Sequence, residues 1–329
     1  MSNTKKINLR IFLKIKMEDA FEPFCAIFFG MSSIIEILKN HKNKKDKRIF
    51  GLVVQGGGFR STYSGSALSV FAHHNLFDSF EHVIGSSGGA VNAAYFISNQ
   101  TDKLDYEDED LASKKFVNLF RSEKKIDIDF FVDYVLKEKA PIDLNLLKSA
   151  YSNLHIVVTN SKTGRKEVIS DHDNFSLIYE EFRATCALPI LYDREINIGD
   201  QYYVDGSVAD LLPIDVAHKL GCTDIFVIMT EQIRNITFDK THQRLVKHLI
   251  RKFARRYPKR LKNMLPTNEH ILKSNLRRIT RPWRNTNIYV LQPSDEEMLI
   301  SLATNDKEKL HALSKLGIND AKAFLKSTV

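Results

Sequence analysis

The sequence predicts an α/β fold with a largely parallel central sheet that helices cover on both faces. Short apolar runs typical of buried strands alternate along the chain with segments of helical periodicity. A chain of 329 residues with 43% hydrophobic content can bury one large core with additions, or two modest domains. The apolar runs predict strands at residues 50–55, 82–84, 154–159, 166–170, 224–230 and 287–292.

A glycine-rich loop follows the first predicted strand. Gly56, Gly57 and Gly58 are consecutive, Arg60 stands two residues after them, and a segment of helical apolar spacing follows. Successive glycines before a helix form a nest of backbone N–H donors that binds an anion or a developing oxyanion. Nucleotide binding fits less well. The G-K-[ST] of a P-loop is absent here, and Ser61 stands at the position of the final glycine in a dinucleotide-binding fingerprint. The loop is therefore a candidate oxyanion hole, with Arg60 at its edge.

The second predicted strand runs into a G-x-S-x-G pattern centred on Ser87 and then into an alanine-rich helix. A strand that reverses into a helix within one residue holds its serine in a strained, exposed conformation. Gly85 and Gly89 are small enough for the helix to pass, and the helix N-terminus directs unpaired N–H groups at the site. Ser87 is a candidate nucleophile, although the pattern alone also fits a glycine-rich turn.

A third feature is a strand ending at Val204 that delivers Asp205 to a turn at Gly206, with Pro213 at a predicted helix start. A carboxylate at a strand end can reach the loop of a neighbouring strand. Asp-Gly is also the commonest hairpin turn signal, so this feature by itself favours a hairpin. Its combination with the other two motifs favours a catalytic site.

Together these residues resemble the patatin-like phospholipases. Their pattern is a G-G-G-x-R loop, a G-x-S-x-G serine and a D-G-[GA] aspartate, in this order along the chain. The resemblance covers roughly residues 48–230 and includes the approach to the aspartate, FRATCALPILYDREINIGDQYYVDGS, with Pro189 and a short hairpin. Two residues depart from the pattern: Ser61 stands where the loop usually continues with glycine, and Ser207 where glycine or alanine usually follows Asp-Gly.

The resemblance implies a three-layer patatin-like fold and a serine–aspartate dyad that cleaves phospholipid or lysophospholipid esters. Ser87 would attack the ester carbonyl while Asp205 accepts its proton without an intervening histidine. Burial beside Val204 and Leu211 would raise the pKa of Asp205 and improve its match to neutral pH. No cofactor and no metal ion is expected.

In this interpretation the glycine loop forms the oxyanion hole. The N–H groups of Gly57 and Gly58, with Gly56 beside them, would hold the oxyanion. Arg60 either orients the loop or meets a lipid phosphate, or it pairs with a structural carboxylate.

Two alternatives stay open. A Ser-His-Asp esterase needs a histidine after the acid in chain order, and five qualify by position: His218, His242, His248, His270 and His311. None lies in a strand-end loop signature, and the run around His218 is helical. The other alternative is a catalytically vestigial protein that binds a membrane or nucleic acid, which intact Ser87 and Asp205 argue against.

The cysteines and the acidic residues of the sequence do not predict disulfide bonds or a metal site. Cys25, Cys186 and Cys222 form no C-x-x-C pair and no cluster with histidine, so neither a disulfide framework nor a zinc site is predicted. The acidic run at 105–110 lacks the spacing of a calcium loop, and we interpret it as a solvated loop.

The motifs divide the chain into three predicted parts: an N-terminal extension at 1–47, a catalytic domain at 48–295 and a C-terminal helical tail at 296–329. Within the extension, helical spacing predicts an amphipathic helix that includes Phe21, Phe24, Cys25, Phe28, Ile35 and Leu38. Glu22, Pro23 and Glu36 interrupt any membrane-spanning length, and no convincing signal peptide is present. We therefore expect a cytoplasmic protein, for which Met1 and Met17 are both conceivable starts.

The charge is concentrated late in the chain. The net charge is +8, yet between residues 244 and 284 fourteen lysines and arginines face the single acid Glu269. This predicted basic helical insertion, at about 240–285, has an apolar stripe with basic residues beside it at Lys247, Arg251, Arg255 and Lys259. The candidates for membrane contact are Arg251, Arg255, Arg256 and Lys259. Such a helix can lie on an anionic membrane, as a peripheral protein would, or dock on the core with a solvated basic face. Phospholipid is a more economical partner than nucleic acid for a lipase-like site, so no nucleic acid is expected.

Overall fold

An eight-stranded sheet lies at the centre of the protein, in a computed structural model that describes residues 32–43, 47–170, 175–233, 268–295, 297–298 and 300–329. The strand order is β5-β6-β3-β2-β1-β7-β8, with β4 also paired to β3. The strands are β1 (Phe50–Val54), β2 (His82–Ser86), β3 (Asn153–Asn160), β4 (Lys166–Ile169), β5 (Ile196–Ile198), β6 (Gln201–Asp205), β7 (Asp224–Ile228) and β8 (Asn287–Leu291).

Helices flank this sheet. Numbered within the described residues, they are α1 (Ile34–Lys42), α2 (Ser61–His73), α3 (Gly88–Ile97), α4 (Leu144–Lys148), α5 (Ile178–Cys186), α6 (Ile214–Lys219), α7 (Asn268–Thr280) and α8 (Lys307–Lys326). A π-helical segment covers Phe130–Lys139, and 3₁₀ turns cover Gly58–Arg60, Phe175–Leu177 and Gly206–Val208.

The pairing confirms the predicted fold class. The ladders β3-β2-β1-β7-β8 are all parallel. Strands β4 and β6 run antiparallel to β3, and β5 and β6 form the short antiparallel hairpin before Asp205. All six predicted strands are present, with ends that differ by up to two residues.

Two strand ends differ for a physical reason. Strand β2 continues to Ser86 because this residue still pairs with Val157 of β3. Strand β7 ends at Ile228 because the chain then leaves the ladder, and the N–H of Thr230 donates to the side-chain Oε1 of Gln55 at 2.9 Å. Side-chain partners of this kind are not visible in a hydropathy pattern.

Apolar residues of the parallel strands point alternately to two cores. Leu52 and Val54 of β1 join the larger core, which holds residues of α2, α3 and α8. Val53 points to the opposite face, where it joins a smaller core with residues of α6. A sheet buried on both faces requires such continuous apolar strands, which made them recognisable in the sequence.

The predicted C-terminal tail contains α8, which packs along α2. Leu310 and Leu313 are fully buried in the larger core. At Gly317 the two helices come close, since a Cβ there would lie 2.5 Å from the carbonyl oxygen of Tyr63. The chain end then returns to α1, where the N–H of Ile34 donates to the carbonyl oxygen of Ser327 at 2.9 Å. The proposed division into three parts stays a prediction.

Some predicted features lie partly or wholly outside the described residues. Of the N-terminal amphipathic set, Ile35 and Leu38 fall within α1, whereas Phe21, Phe24, Cys25 and Phe28 lie outside. The four basic membrane-contact candidates, Arg251, Arg255, Arg256 and Lys259, also lie outside. Within the part of the chain that the structure describes, no helix has the length and apolar character needed to cross a bilayer.

Candidate active site

Ser87 occupies a sharp turn between β2 and α3. Its backbone has φ +54° and ψ −141°, a strained conformation for a residue with a side chain. The turn is closely packed, because a Cβ at Gly85 would lie 2.5 Å from the Cα of Ala90, and one at Gly89 would lie 2.4 Å from the carbonyl oxygen of Val54. The two glycines therefore allow α3 to pass the sheet directly after Ser87.

A threonine on α5 holds this turn in place. The N–H of Ser87 donates to Oγ1 of Thr185 at 2.8 Å, and that hydroxyl donates to the carbonyl oxygen of Val157 at 2.7 Å. The contact ties the turn to α5 and β3. Sequence reasoning missed Thr185, whose single signal is its place in the segment that leads to Asp205.

Asp205 ends β6 in a buried position, with 1% of its surface exposed. Its N–H donates to the carbonyl oxygen of Ala187 at 3.1 Å, and its Oδ1 accepts the N–H of Ser207 at 2.8 Å. Burial raises the pKa of Asp205 to about 6, against the lowering effect of hydrogen bonds from Ser207 and from the Ser87 hydroxyl. The carboxylate is thus a stronger base than an exposed aspartate and is still ionised at neutral pH.

The sheet register brings Ser87 and Asp205 together across β3. Ser86 pairs with Val157 on one side of β3, and Asp205 pairs with Val158 on the other. Because β6 is antiparallel to β3, its last residue lies at the same level as the end of β2. The two motifs, remote in sequence, are therefore neighbours at one edge of the sheet.

Cys186 is a third side chain at this point. Burial raises the pKa of its thiol, and the nearby charge of Asp205 raises it further, while the Ser87 hydroxyl interacts with it. The thiol is therefore neutral beside the reacting groups. In the sequence this cysteine bears only on disulfides and zinc, and no pattern there predicts its position beside Ser87.

The glycine loop lies directly against the turn of Ser87. A Cβ at Gly56 would lie 2.5 Å from the carbonyl oxygen of Ser86 and 2.7 Å from the Cβ of Ser87. Gly57 and Gly58 have φ values of +151° and +56° and lead into the 3₁₀ turn. N–H groups at the start of such a turn lack partners within it, so they are suited to bind an anion.

Arg60 is held by other groups of the protein. Its Nε donates to the carbonyl oxygen of Ile300 at 3.0 Å, and its Nη1 lies 3.2 Å from Oε2 of Glu231. The neighbouring N–H of Phe59 donates to the carbonyl oxygen of Leu302 at 3.0 Å. Of the predicted alternatives for Arg60, this geometry matches the pairing with a structural carboxylate. Glu231 and the 300–302 segment carry no sequence signal for this contact.

The two departures from the family pattern leave both candidate residues, Ser87 and Asp205, in place. Ser61 is the first residue of α2, and a Cβ at Gly88 would lie 2.5 Å from its Oγ. Ser207 supplies the N–H that binds Oδ1 of Asp205.

Two of the described histidines that follow Asp205 in the chain contact side chains other than Ser87 and Asp205. The ring of His218 stacks on Trp283 with centroids 4.1 Å apart. His311 lies 2.7 Å from Glu107, and His270 is on α7. His242 and His248 lie outside the described residues.

The acidic run forms ion pairs. Lys139 bridges Asp108 at 2.6 Å and Asp110 at 2.8 Å, and Lys115 also contacts Asp110 at 2.8 Å. Across the described ranges, no group of three or more histidine, cysteine, aspartate or glutamate side chains is arranged to hold a metal ion.

A serine at a strained strand–helix turn, a buried aspartate and a glycine loop on a mixed α/β sheet are an arrangement typical of acyl hydrolases. The model of the patatin-like phospholipase family matches residues 52–218, which include both Ser87 and Asp205. The chain belongs to the patatin-like phospholipase family.

Comparison with individual proteins gives more distant likenesses. The chain is 25% identical over 194 residues to the uncharacterized protein YjjU of Escherichia coli (strain K12). That match covers 54% of this chain and 51% of YjjU, so the chain spans about half the length of this relative. Among solved structures, this chain is similar to VipD from Legionella pneumophila, with a TM-score of 0.43 and 14% sequence identity. The match covers 85% of this chain and 67% of the VipD chain.

Proposed function

We propose that this protein hydrolyses carboxylic esters of lipids with Ser87 as nucleophile and Asp205 as general base. The observation that carries the proposal is the pairing of β2 and β6 on either side of β3, with Ser87 directly after β2 and the buried Asp205 at the end of β6. The Oγ attacks the carbonyl carbon while its proton passes to Asp205. The protonated Asp205 then donates this proton to the departing alcohol, which leaves an acyl-enzyme, and water releases the fatty acid by the same steps.

The glycine loop supplies the oxyanion hole in this proposal. The N–H groups of Gly57 and Gly58 bind the negative oxygen of the tetrahedral intermediate, and each such donor contributes about a hundredfold or more in rate. The close contact of Gly56 with the turn of Ser87 supports this role, because it puts the donors beside the nucleophile. Arg60 acts by holding the loop rather than by touching substrate.

The proposed substrates are phospholipids or lysophospholipids at an anionic membrane surface. Family membership supports the lipid class. The late basic segment supports the surface, since clustered cationic side chains attract anionic lipid. Within it, Arg251, Arg255, Arg256 and Lys259 are the proposed contacts.

Covalent labelling with a fluorophosphonate tests the nucleophile. The wild-type protein should be labelled on Ser87 and should hydrolyse lipid esters, and Ser87→Ala should lose both properties. Ser86→Ala is the matched control, because Ser86 is the adjacent serine and its hydroxyl is buried away from solvent. Labelling that persists in Ser87→Ala, with the modified residue mapped elsewhere, would refute the assignment.

A further inference from the structure

A hairpin between residues 116 and 127 exposes an apolar tip. Val117 and Ile126 form an antiparallel bridge, and the N–H of Asn118 donates to the carbonyl oxygen of Lys125 at 2.8 Å. Both bridge residues are buried. At the tip, by contrast, Phe120 is 98% exposed and Leu119 is 52% exposed. The fold therefore holds the base of the hairpin rigidly and directs two large apolar side chains into solvent.

The base of this hairpin contacts both halves of the candidate active site. The ring of Phe116 packs on the ring of Phe59, in the glycine loop, with centroids 5.5 Å apart. On the other side, the N–H of Ile126 donates to the carbonyl oxygen of Leu191 at 3.0 Å. Leu191 ends the short segment that begins with Ala187, whose carbonyl oxygen binds the N–H of Asp205. The base of the hairpin thus lies between the glycine loop and the segment that leads to Asp205.

Charged side chains of both signs flank the tip in the sequence. Between residues 114 and 129 there are five basic residues, Lys114, Lys115, Arg121, Lys124 and Lys125, and three acids, Glu123, Asp127 and Asp129. Three of the basic residues form ion pairs with acids near the base of the hairpin, at Asp110, Asp127 and Asp129. Lys114 is exposed. The tip therefore has two exposed apolar side chains next to charged groups that are largely paired with one another, which suits the boundary between acyl chains and head groups.

We infer that the tip residues Leu119 and Phe120 insert into a lipid bilayer and hold the active-site face against it. The inference rests on the proposed lipid substrate and names the surface that meets it. A protein partner fits less well, because two exposed side chains fall far short of the roughly 800 Å² that each side of a stable protein interface buries. Insertion into lipid needs no matching partner surface, and each buried apolar side chain strengthens it separately.

Vesicle binding tests the inference in a Ser87→Ala background, which leaves the lipid intact. The probe is vesicles of phosphatidylcholine with phosphatidylglycerol, measured by co-sedimentation. The double change Leu119→Ser and Phe120→Ser should weaken binding by about 100-fold or more, since burying each such side chain is worth about 10-fold to 100-fold. Leu146→Ser is the matched control, as Leu146 is 48% exposed on α4, which leads to the opposite edge of the sheet, and it should bind like the parent.

The outcomes separate this inference from the proposed function. Binding lost with the hairpin change, at an unchanged unfolding midpoint, supports the inference whether or not the wild-type protein hydrolyses the lipid. Unchanged vesicle binding by the hairpin variant would overturn the inference. This holds also if a variant with Arg251, Arg255, Arg256 and Lys259 neutralised loses vesicle binding. Unchanged binding together with a dimer that dissociates on the hairpin change would instead assign the tip to a contact between copies.

Discussion

At the scale of single residues, the environment of Asp205 determines how the proposed chemistry depends on pH. The carboxylate is buried between β3 and the segment after α5, and burial raises its pKa to about 6. Below this pH the group is protonated and cannot accept the proton of Ser87. Because the carboxylate is buried, its ionised form also lowers the stability of the folded state.

The first expected result is a pH profile. The value of kcat/KM for a soluble short-chain ester should be constant at pH 7–8 and fall below pH about 6, by about tenfold per pH unit, as the base becomes protonated. Initial rates between pH 4.5 and 8 measure this. A profile that stays flat down to pH 4.5 would argue against Asp205 as the base.

The second expected result concerns stability. Because its folded-state pKa lies above the ordinary value of 3.8, Asp205 stabilises the fold at low pH, and this contribution is lost as pH rises through about 6. Asp205→Asn removes the buried charge, so at pH 8 it should raise the free energy of unfolding by up to about 3 kcal/mol. Near pH 4 the gain should vanish. Urea unfolding at both pH values measures the difference, and an equal effect at both would contradict it.

The third expected result separates a dyad from a triad. Asp205→Asn should lower kcat/KM at least about a thousandfold, because it removes the base. His218→Ala should change kcat/KM by less than about threefold, since the ring of His218 is stacked on Trp283. Its cost should instead appear as about 0.5–1.5 kcal/mol of stability. A histidine change as damaging to the rate as the aspartate change would favour the Ser-His-Asp alternative.

At the scale of elements, the glycine loop between β1 and α2 is shaped by a distant part of the chain. Its turn is fastened by the carbonyl oxygens of Ile300 and Leu302, which precede α8. The loop therefore combines a local feature, its glycines, with a contact that arises only on folding. Its geometry should be sensitive to any group that enters this contact.

Alanine substitutions at two glycines test whether the geometry of the glycine loop depends on this contact. Gly58 and Gly199 have nearly equal φ values, +56° and +59°, so alanine brings similar backbone strain of about 1–2 kcal/mol to both. A Cβ at Gly58 would lie 2.4 Å from the carbonyl oxygen of Leu302, whereas none of the described atoms lies within 4 Å at Gly199. Gly58→Ala should therefore lower kcat at least about tenfold, and Gly199→Ala should leave kcat unchanged. Equal kcat values for both variants, from steady-state kinetics, would count against a role for the loop.

At the scale of the whole molecule, the chain end and the catalytic motifs share one core. Leu313 of α8 is fully buried in the larger core, and α8 packs along α2, whose first residue follows the glycine loop. Unfolding of α8 would therefore expose the helix that continues from the proposed oxyanion hole. We expect the tail and the site to unfold as a single unit.

Leu313→Ala tests this expectation. Removing a fully buried leucine side chain should lower the free energy of unfolding by about 2–5 kcal/mol. Urea unfolding followed by circular dichroism and by fluorophosphonate labelling should give one midpoint, shifted equally in both signals. Leu146→Ala, at a residue 48% exposed, should shift neither by more than about 0.5 kcal/mol. Labelling that survives the loss of helical signal would show that the tail folds separately.

The sequence by itself determined the features that depend on nearby residues. The strand before Gly56, the sharp turn at Ser87 and the strand that ends in Asp205 were predictable, because apolar runs and glycine spacing specify local backbone conformation. Alternation of strands and helices predicted the parallel sheet for the same reason. The resemblance to the patatin-like phospholipases rests on these local units and on their order in the chain.

Only the tertiary structure decided which remote groups meet. The register of β3 with β2 and β6 brings Ser87 to Asp205, and α5 adds Thr185 and Cys186 beside them. Folding likewise pairs Arg60 with Glu231 and leaves Phe120 exposed. Burial and distance between segments depend on strand order and helix packing, which involve the whole chain. A local pattern therefore predicted the candidate reacting groups, and the packing of the sheet set their environment.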